Sequence, residues 1–293
     1  MLCNMCPRRC NVDRDLTLGA CGCGSAITVS RTVRHFWEEP CISGEKGSGA
    51  IFFSGCNLKC IYCQNYAISR GEVGKKLSKS EFQSLVLNMV KDGVDNINLV
   101  TPTHFTEQIV SALSEIKSKI TVPIVWNSSG YETPESIEAL DGIVDIFLCD
   151  VKYYYNATAK EYSNAPEYFD VTLKALEKML SIAPHPKFRE DGMLESGIIV
   201  RHLVLPSTKT DSEKILESLA KYKDNIILSL MCQYTPTDNV KDHKKLKRRL
   251  TTLEYSYVVD VAKRIGFKGY IQDKASAMAE YTPDFGEKWD FSY

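Results

Sequence analysis

Residues 54–65 read SGCNLKCIYCQN, which spaces Cys56, Cys60 and Cys63 as C-x-x-x-C-x-x-C. Thiolates are the soft ligands that select zinc and iron–sulfur clusters. Three of them on one short loop can meet three irons of a cubane while the chain wraps one corner. Structural zinc and ordinary clusters take four protein ligands. The fourth is therefore supplied elsewhere, or absent for a chemical reason, as when a catalytic zinc keeps one position open.

A second group lies at the amino terminus. Cys3, Cys6, Cys10 and Cys21, with Cys23 adjacent, read C-x-x-C-x-x-x-C followed by C-x-C. Four soft ligands this close suit tetrahedral zinc or a second cluster, and free thiols are the alternative. Cys41, Cys149 and Cys232 stand alone in apolar or loop settings and read as small buried residues. Eleven cysteines is an odd number for a secreted disulfide scaffold, and clustered thiols in a reducing compartment more often bind metal. A formal net charge of −1 sets up no global field for nucleic acid or anionic lipid. No run approaches the roughly 18 apolar residues a membrane span needs, and MLCNMCPRRC lacks a signal-peptide core, so a cytoplasmic protein is expected.

These thiols need elements to hold them. From residue 50, short apolar runs alternate with helical periodicity, the pattern of a parallel sheet wrapped by helices. Six strands are expected: 50–54, 96–100, 122–127, 144–150, 197–205 and 225–231, several apolar throughout, as in strands covered on both faces. Ser78 and Glu81 predict a capping box for a helix with Phe82, Leu85, Val86 and Met89 on one face, ending near Gly93. Thr133-Pro134 predicts a helix start, 168–182 a helix, 184–196 a polar proline-broken loop, and 253–265 a last helix after the basic run KDHKKLKRR. The fold class that results is α/β, a partial (β/α)6 TIM-like barrel. Residues 1–45 form a Cys-rich leader, 46–240 the barrel and 241–293 a short C-terminal extension. Barrel chemistry collects at the carboxyl ends of strands, which is where the three-cysteine loop falls.

With Tyr62 just before the third cysteine, the loop resembles that of the radical S-adenosylmethionine superfamily. The resemblance implies a [4Fe-4S] cluster held by Cys56, Cys60 and Cys63, whose fourth iron is chelated by S-adenosyl-L-methionine. It also implies reductive cleavage of that cosubstrate to a 5′-deoxyadenosyl radical, which abstracts hydrogen from a substrate. Within the superfamily, EEPCISGEKGSGAIFFSGCNLKCIYCQN and VRHLVLP resemble a branch of pyruvate formate-lyase activating enzymes. Asp150-Val151-Lys152 matches the Asp-x-Lys pair that contacts S-adenosylmethionine in activases. The resemblance thus places Tyr62, Asn127, Asp150, Lys152 and His202 near the cosubstrate. Asn127 stands where activases carry an acidic residue. In VRHLVLP alternation turns one of Arg201 and His202 into the barrel. Thr101 and Thr103 stand in place of a glycine-rich segment, and Gln233 and Tyr234 where activases have a polar residue.

The resemblance further implies a flavodoxin or ferredoxin as electron donor and a glycyl radical enzyme as protein substrate. All extra cysteines here precede the triad, whereas activases that have them carry them after it. Two alternatives accompany this reading: radical modification of a small molecule or RNA, and a non-catalytic zinc-stabilised binding module. The basic run KDHKKLKRR lacks interleaved aromatics, which makes nucleic acid an unexpected partner.

Overall fold

The computed structural model describes residues 2–71 and 73–272. Among them the strands are β1 (Ile27–His35), β2 (Ser48–Phe53), β3 (Lys75–Leu77), β4 (Asn96–Val100), β5 (Ile124–Ser128), β6 (Ile146–Asp150), β7 (Lys187–Phe188), β8 (Leu194–Leu203), β9 (Ile227–Met231) and β10 (Gly269–Ile271). The helices are α1 (Tyr66–Ser69), α2 (Lys79–Lys91), α3 (Thr106–Ser114), α4 (Pro134–Glu138), α5 (Asn156–Ser163), α6 (Tyr168–Ile182), α7 (Lys209–Leu219) and α8 (Thr252–Ile265). The sheet runs β10-β9-β8-β6-β5-β4-β2-β1-β3. Every pairing from β10 to β2 is parallel, and β1 is antiparallel to both β2 and β3. This is the partial, TIM-like barrel.

Strand alternation splits the sheet into two chemistries. Ile51, Phe53, Ile97, Leu99, Trp126 and Phe147 point to the helices and share one core with Phe82 and Met89 of α2 and Leu176 of α6. Burying each such side chain contributes about 1.5–3 kcal/mol, so this layer is the main source of stability. The opposite face carries Val125, Ile146, Leu148 and Ile199 low in the sheet, packed against Cys41 and Ile42 from the loop between β1 and β2. That loop plugs the concave side. Asn96 donates to the Ile42 carbonyl at 2.6 Å, and Leu194 N–H to the Cys41 carbonyl at 2.7 Å.

The six expected strands are present, with ends within a few residues of those read from the sequence. Ser78 and Glu81 form the full capping box on α2, and Thr133 caps α4 ahead of Pro134. Three departures have local causes. β1 was not expected, because ITVSRTVRH mixes polar and apolar residues; it lies antiparallel between β2 and the short edge strand β3, which it pairs over Ile27–Val29. The polar loop at 184–196 contains β7, folded back on the start of β8. β10, within the expected C-terminal extension, adds a seventh parallel strand beside β9. Residues 273–293 of that extension lie outside the described residues. The basic run does not lie on a helix: it is a turn-rich segment in which Arg248 grips Glu254, while His243 and Lys245 face Glu161.

Candidate functional site

The chain leaves β2 through Ser54 and Gly55 into the three-cysteine loop. Gly55 sits at φ +80°, and a Cβ there would lie 2.6 Å from both the Cys21 carbonyl oxygen and the Cys23 sulfur. Only glycine fits without displacement at such a point. The leader is thereby pressed against the loop, and Cys56 N–H donates to the Cys21 carbonyl at 3.2 Å. Arg8 completes the clamp, donating to the carbonyls of Asn57 (2.6 Å), Ser163 (2.9 Å) and Asn164 (2.6 Å).

Cys60 is buried and Cys56 and Cys63 are partly so. Burial pushes the Cys63 thiol up to about 12, and Cys60 and Cys56 push it the same way. Cys56 is raised by burial and then by Cys60, with the Lys152 charge opposing. Cys56 and Cys63 thus lie close enough to the other cysteines of the loop for their ionisation to be opposed, and a bound polycation reverses that logic. Donors already face them: Leu58 N–H lies 3.3 Å from Cys56 Sγ, and the Tyr153 hydroxyl 3.6 Å from Cys60 Sγ. Among the described residues no three Cys, His, Asp or Glu side chains converge on one ion-sized point. A cubane does not ask for that, since each thiolate takes a different iron. The donor set fits an iron–sulfur cluster.

Tyr62 belongs to a cluster of tyrosines over this loop. Its ring meets Tyr153, Tyr162 and Tyr234 edge to face at 6.1–6.4 Å, and the Tyr153 hydroxyl donates to its oxygen at 2.9 Å. Edge-on packing is the favoured arrangement for such rings. Tyr234 in turn donates to the Leu246 carbonyl at 2.6 Å, so its hydroxyl is committed to the loop that closes this side.

The polar residues of the concave face form one network. Asp150, at the end of β6, accepts from Lys152 Nζ at 2.5 Å and from Arg201 Nε at 2.9 Å. Arg201 also donates to Glu38 Oε2 at 3.0 Å and to Asn127 Oδ1 at 2.6 Å. Asn98 holds the other Glu38 oxygen at 2.9 Å. Burial works to raise the Asp150 carboxyl, but Lys152 and Arg201 outweigh it and hold it below its ordinary value. Lys152 is pulled down by burial and raised more strongly by Asp150 and Cys60, so it stays an ammonium facing the cysteine loop. Its two remaining N–H groups are available to an anion.

Tyr62, Asn127, Asp150 and Lys152 thus stand around the three cysteines or on the concave face one layer deeper. His202 does not. The alternation at 201–202 turns Arg201 inward and His202 outward, where Nδ1 meets the Val151 carbonyl at 2.6 Å and Nε2 the Ser212 hydroxyl at 2.8 Å. Both ring nitrogens are satisfied between β8 and α7. Thr103 likewise faces away, donating to Glu132 at 3.0 Å, and His104 Nε2 meets the Ser54 carbonyl at 2.6 Å. Gln233 accepts from Gln272 Nε2 at 2.9 Å. Sequence reasoning missed Glu38, whose only signal was the paired acid of EEP directly after Phe36 and Trp37.

A sheet of this form, with a three-thiol loop after its first parallel strand and an Asp–Lys pair facing that loop, defines a class. Residues 50–185 form a domain of the radical SAM superfamily, whose model they match. The chain is 30% identical over 271 residues to the uncharacterized protein MJ0674 of Methanocaldococcus jannaschii, covering 89% of this chain and 74% of that one. Among solved structures it is similar to a spore photoproduct lyase variant, with TM-score 0.53, 13% identity, and 84% of this chain and 80% of that chain covered. It is also similar to HydG, a maturase of the FeFe-hydrogenase, with TM-score 0.52, 16% identity, and 78% and 52% covered. Streptococcus suis SuiB bound to S-adenosylmethionine gives TM-score 0.50 at 10% identity, with 74% and 48% covered. The superfamily's cofactors are a [4Fe-4S] cluster and S-adenosylmethionine. The zinc-stabilised module gives way to this membership. Among the described residues no helix is long and apolar enough to cross a membrane.

Proposed function

We propose that Cys56, Cys60 and Cys63 ligate three irons of the cluster, that the fourth iron receives S-adenosylmethionine, and that the chain activates a glycyl radical enzyme. When bound and reduced by one electron, the pair supplies a 5′-deoxyadenosyl radical able to abstract hydrogen. The observation that carries the first part is Lys152. Its ammonium is fixed by Asp150 at 2.5 Å and faces the cysteine loop, where it can hold the methionyl carboxylate as a compact charge. Asp150, kept ionised by Arg201 and Lys152, can accept from the methionyl ammonium or a ribose hydroxyl. The tyrosines around Tyr62 exclude water from this side of the cysteine loop.

The partner rests on the resemblance of residues 38–65 and of Asp150-Val151-Lys152 to activases. The electron donor on this reading is a flavodoxin or ferredoxin. Anaerobically reconstituted protein, reduced in the presence of S-adenosylmethionine, is expected to release methionine and 5′-deoxyadenosine. Alanine at all three cysteines abolishes both cluster and cleavage, and full cleavage in that variant would refute the assignment. Incubation with a glycyl radical enzyme is expected to leave a persistent protein radical in electron paramagnetic resonance. Cleavage without that radical, coupled instead to hydrogen loss from a small molecule or RNA, overturns the partner and leaves the chemistry standing.

A further inference from the structure

Four cysteines outside the triad are folded onto one another. A short antiparallel contact between Leu2 and Asp13 brings the two ends of the first turn together, with Cys3 N–H donating to the Val12 carbonyl at 2.9 Å and Asn11 N–H to the Cys3 carbonyl at 3.0 Å. Between them the chain reverses at Cys6, whose carbonyl accepts from Arg9 N–H at 3.0 Å. A second turn at Gly19–Gly22 then lays Cys21 beside Cys10: a Cβ built on Gly19 would lie 3.4 Å from Cys21 Sγ and 3.8 Å from Cys10 Sγ. Ala20 N–H already donates to Cys10 Sγ at 3.2 Å. Cys6 is buried at the centre, within electrostatic reach of Cys10, Cys21 and Cys3. Cys23 Sγ lies within hydrogen-bond reach of Cys21 Sγ, but its own thiol donates to the Ser54 carbonyl at 3.1 Å and is committed to the barrel.

The four sulfurs resemble the triad in two respects. One backbone N–H is turned toward sulfur in each, Ala20 to Cys10 here and Leu58 to Cys56 in the triad. Among the described residues the thiols are also grouped without three of them meeting at one ion-sized point, which a cluster does not require because each thiolate takes its own iron. We infer that Cys3, Cys6, Cys10 and Cys21 hold a second iron–sulfur cluster, built into the leader and bonded through the Cys21 carbonyl to the amide of Cys56. This goes beyond the function proposed above and rests on it only for the triad's share of the iron in the test.

The test is metal and sulfide analysis of the full chain, purified and reconstituted without oxygen. With Cys56, Cys60 and Cys63 all replaced by alanine, the leader is untouched and iron with acid-labile sulfide is expected to remain in equal amounts, roughly two to four of each per chain. With Cys3, Cys6, Cys10 and Cys21 replaced by serine and the triad intact, iron is expected to fall by about half. Iron and sulfide analysis of the unaltered chain covers the case where a variant fails to fold, since two clusters must give about twice the iron that one can hold. Zinc at one per chain with no sulfide in the triad variant overturns the inference. So does a triad variant free of metal, or unaltered protein whose iron for a single cluster is lost with the triad.

Discussion

Cys56 donates its amide hydrogen to the carbonyl of Cys21 at 3.2 Å, so the first cysteine of the triad is hydrogen-bonded to the cysteine-rich leader. Cys23 seals the same contact through Ser54, and Gly55 leaves no room between them. The leader is part of the wall of the site.

Gly55→Ala tests that contact. The new methyl meets the Cys21 carbonyl and the Cys23 sulfur at 2.6 Å on a residue held at φ +80°. Strain of about 1–3 kcal/mol is expected. Urea melts should show the loss, and limited proteolysis should cut first within residues 1–24. A variant with an unchanged midpoint and an uncut leader would sink this account.

Arg201 satisfies Asp150, Glu38 and Asn127 together. Replacing it by methionine leaves the partly buried Glu38 without its cation and Asp150 with Lys152 alone, at a cost of about 3–5 kcal/mol. Adding Glu38→Gln to that variant removes the stranded charge, so the double variant is expected to be more stable than the single one. Denaturant midpoints of the four proteins give the coupling directly, and simple additivity would rule the network out.

Lys152→Ala removes the one ammonium that faces both Asp150 and the triad. A hydrogen bond to a charged group contributes about 1.5–3 kcal/mol, which corresponds to a roughly 10- to 100-fold weaker Kd for S-adenosylmethionine. Calorimetry on the cluster-loaded protein measures it. Arginine at 152 keeps the charge but not the compact shape and is expected to restore only part of the affinity; unchanged affinity in the alanine variant would remove Lys152 from the binding site.

His202 is held neutral by burial, with its pKa pushed down from 6.5 to about 4. The unfolded chain therefore binds this proton more readily than the fold does. Its contribution is complete above pH 6.5 and is lost as pH falls from there toward 4, a change of about 3 kcal/mol. His104, pushed down to about 3 first by burial, acts in the same direction and over a wider range. Urea melts at pH 7.5 and 5 should show lower stability in acid, and His202→Gln should shrink the difference. An identical pH dependence in that variant would mean that His202 titrates normally.

The helix-facing layer was legible because its signals are local. Apolar runs, the Ser78–Glu81 capping box and Thr133-Pro134 each depend on neighbours a few residues away, and the elements they predict are present. β1 escaped because an antiparallel strand near the end of the sheet lacks the continuous apolar run that marks a central parallel one. The concave face escaped in part because its polar residues, Asn98, Asn127, Asp150 and Arg201, come one or two to a strand and read as interruptions.

By itself the sequence determined the thiol spacing, the alternation of strand and helix, and the Asp–Lys pair at a strand end. Those are properties of contiguous residues, where a period or a spacing is the whole signal. Tertiary structure alone decided that Arg201 rather than His202 enters the barrel, that Glu38 crosses to meet it, and that Cys21 lies against Cys56. Two adjacent polar residues on a strand leave the parity of the pleat undetermined, and it is the packing of α7, through Ser212, on His202 and of the plug loop's Glu38 over Asn98 that selects it.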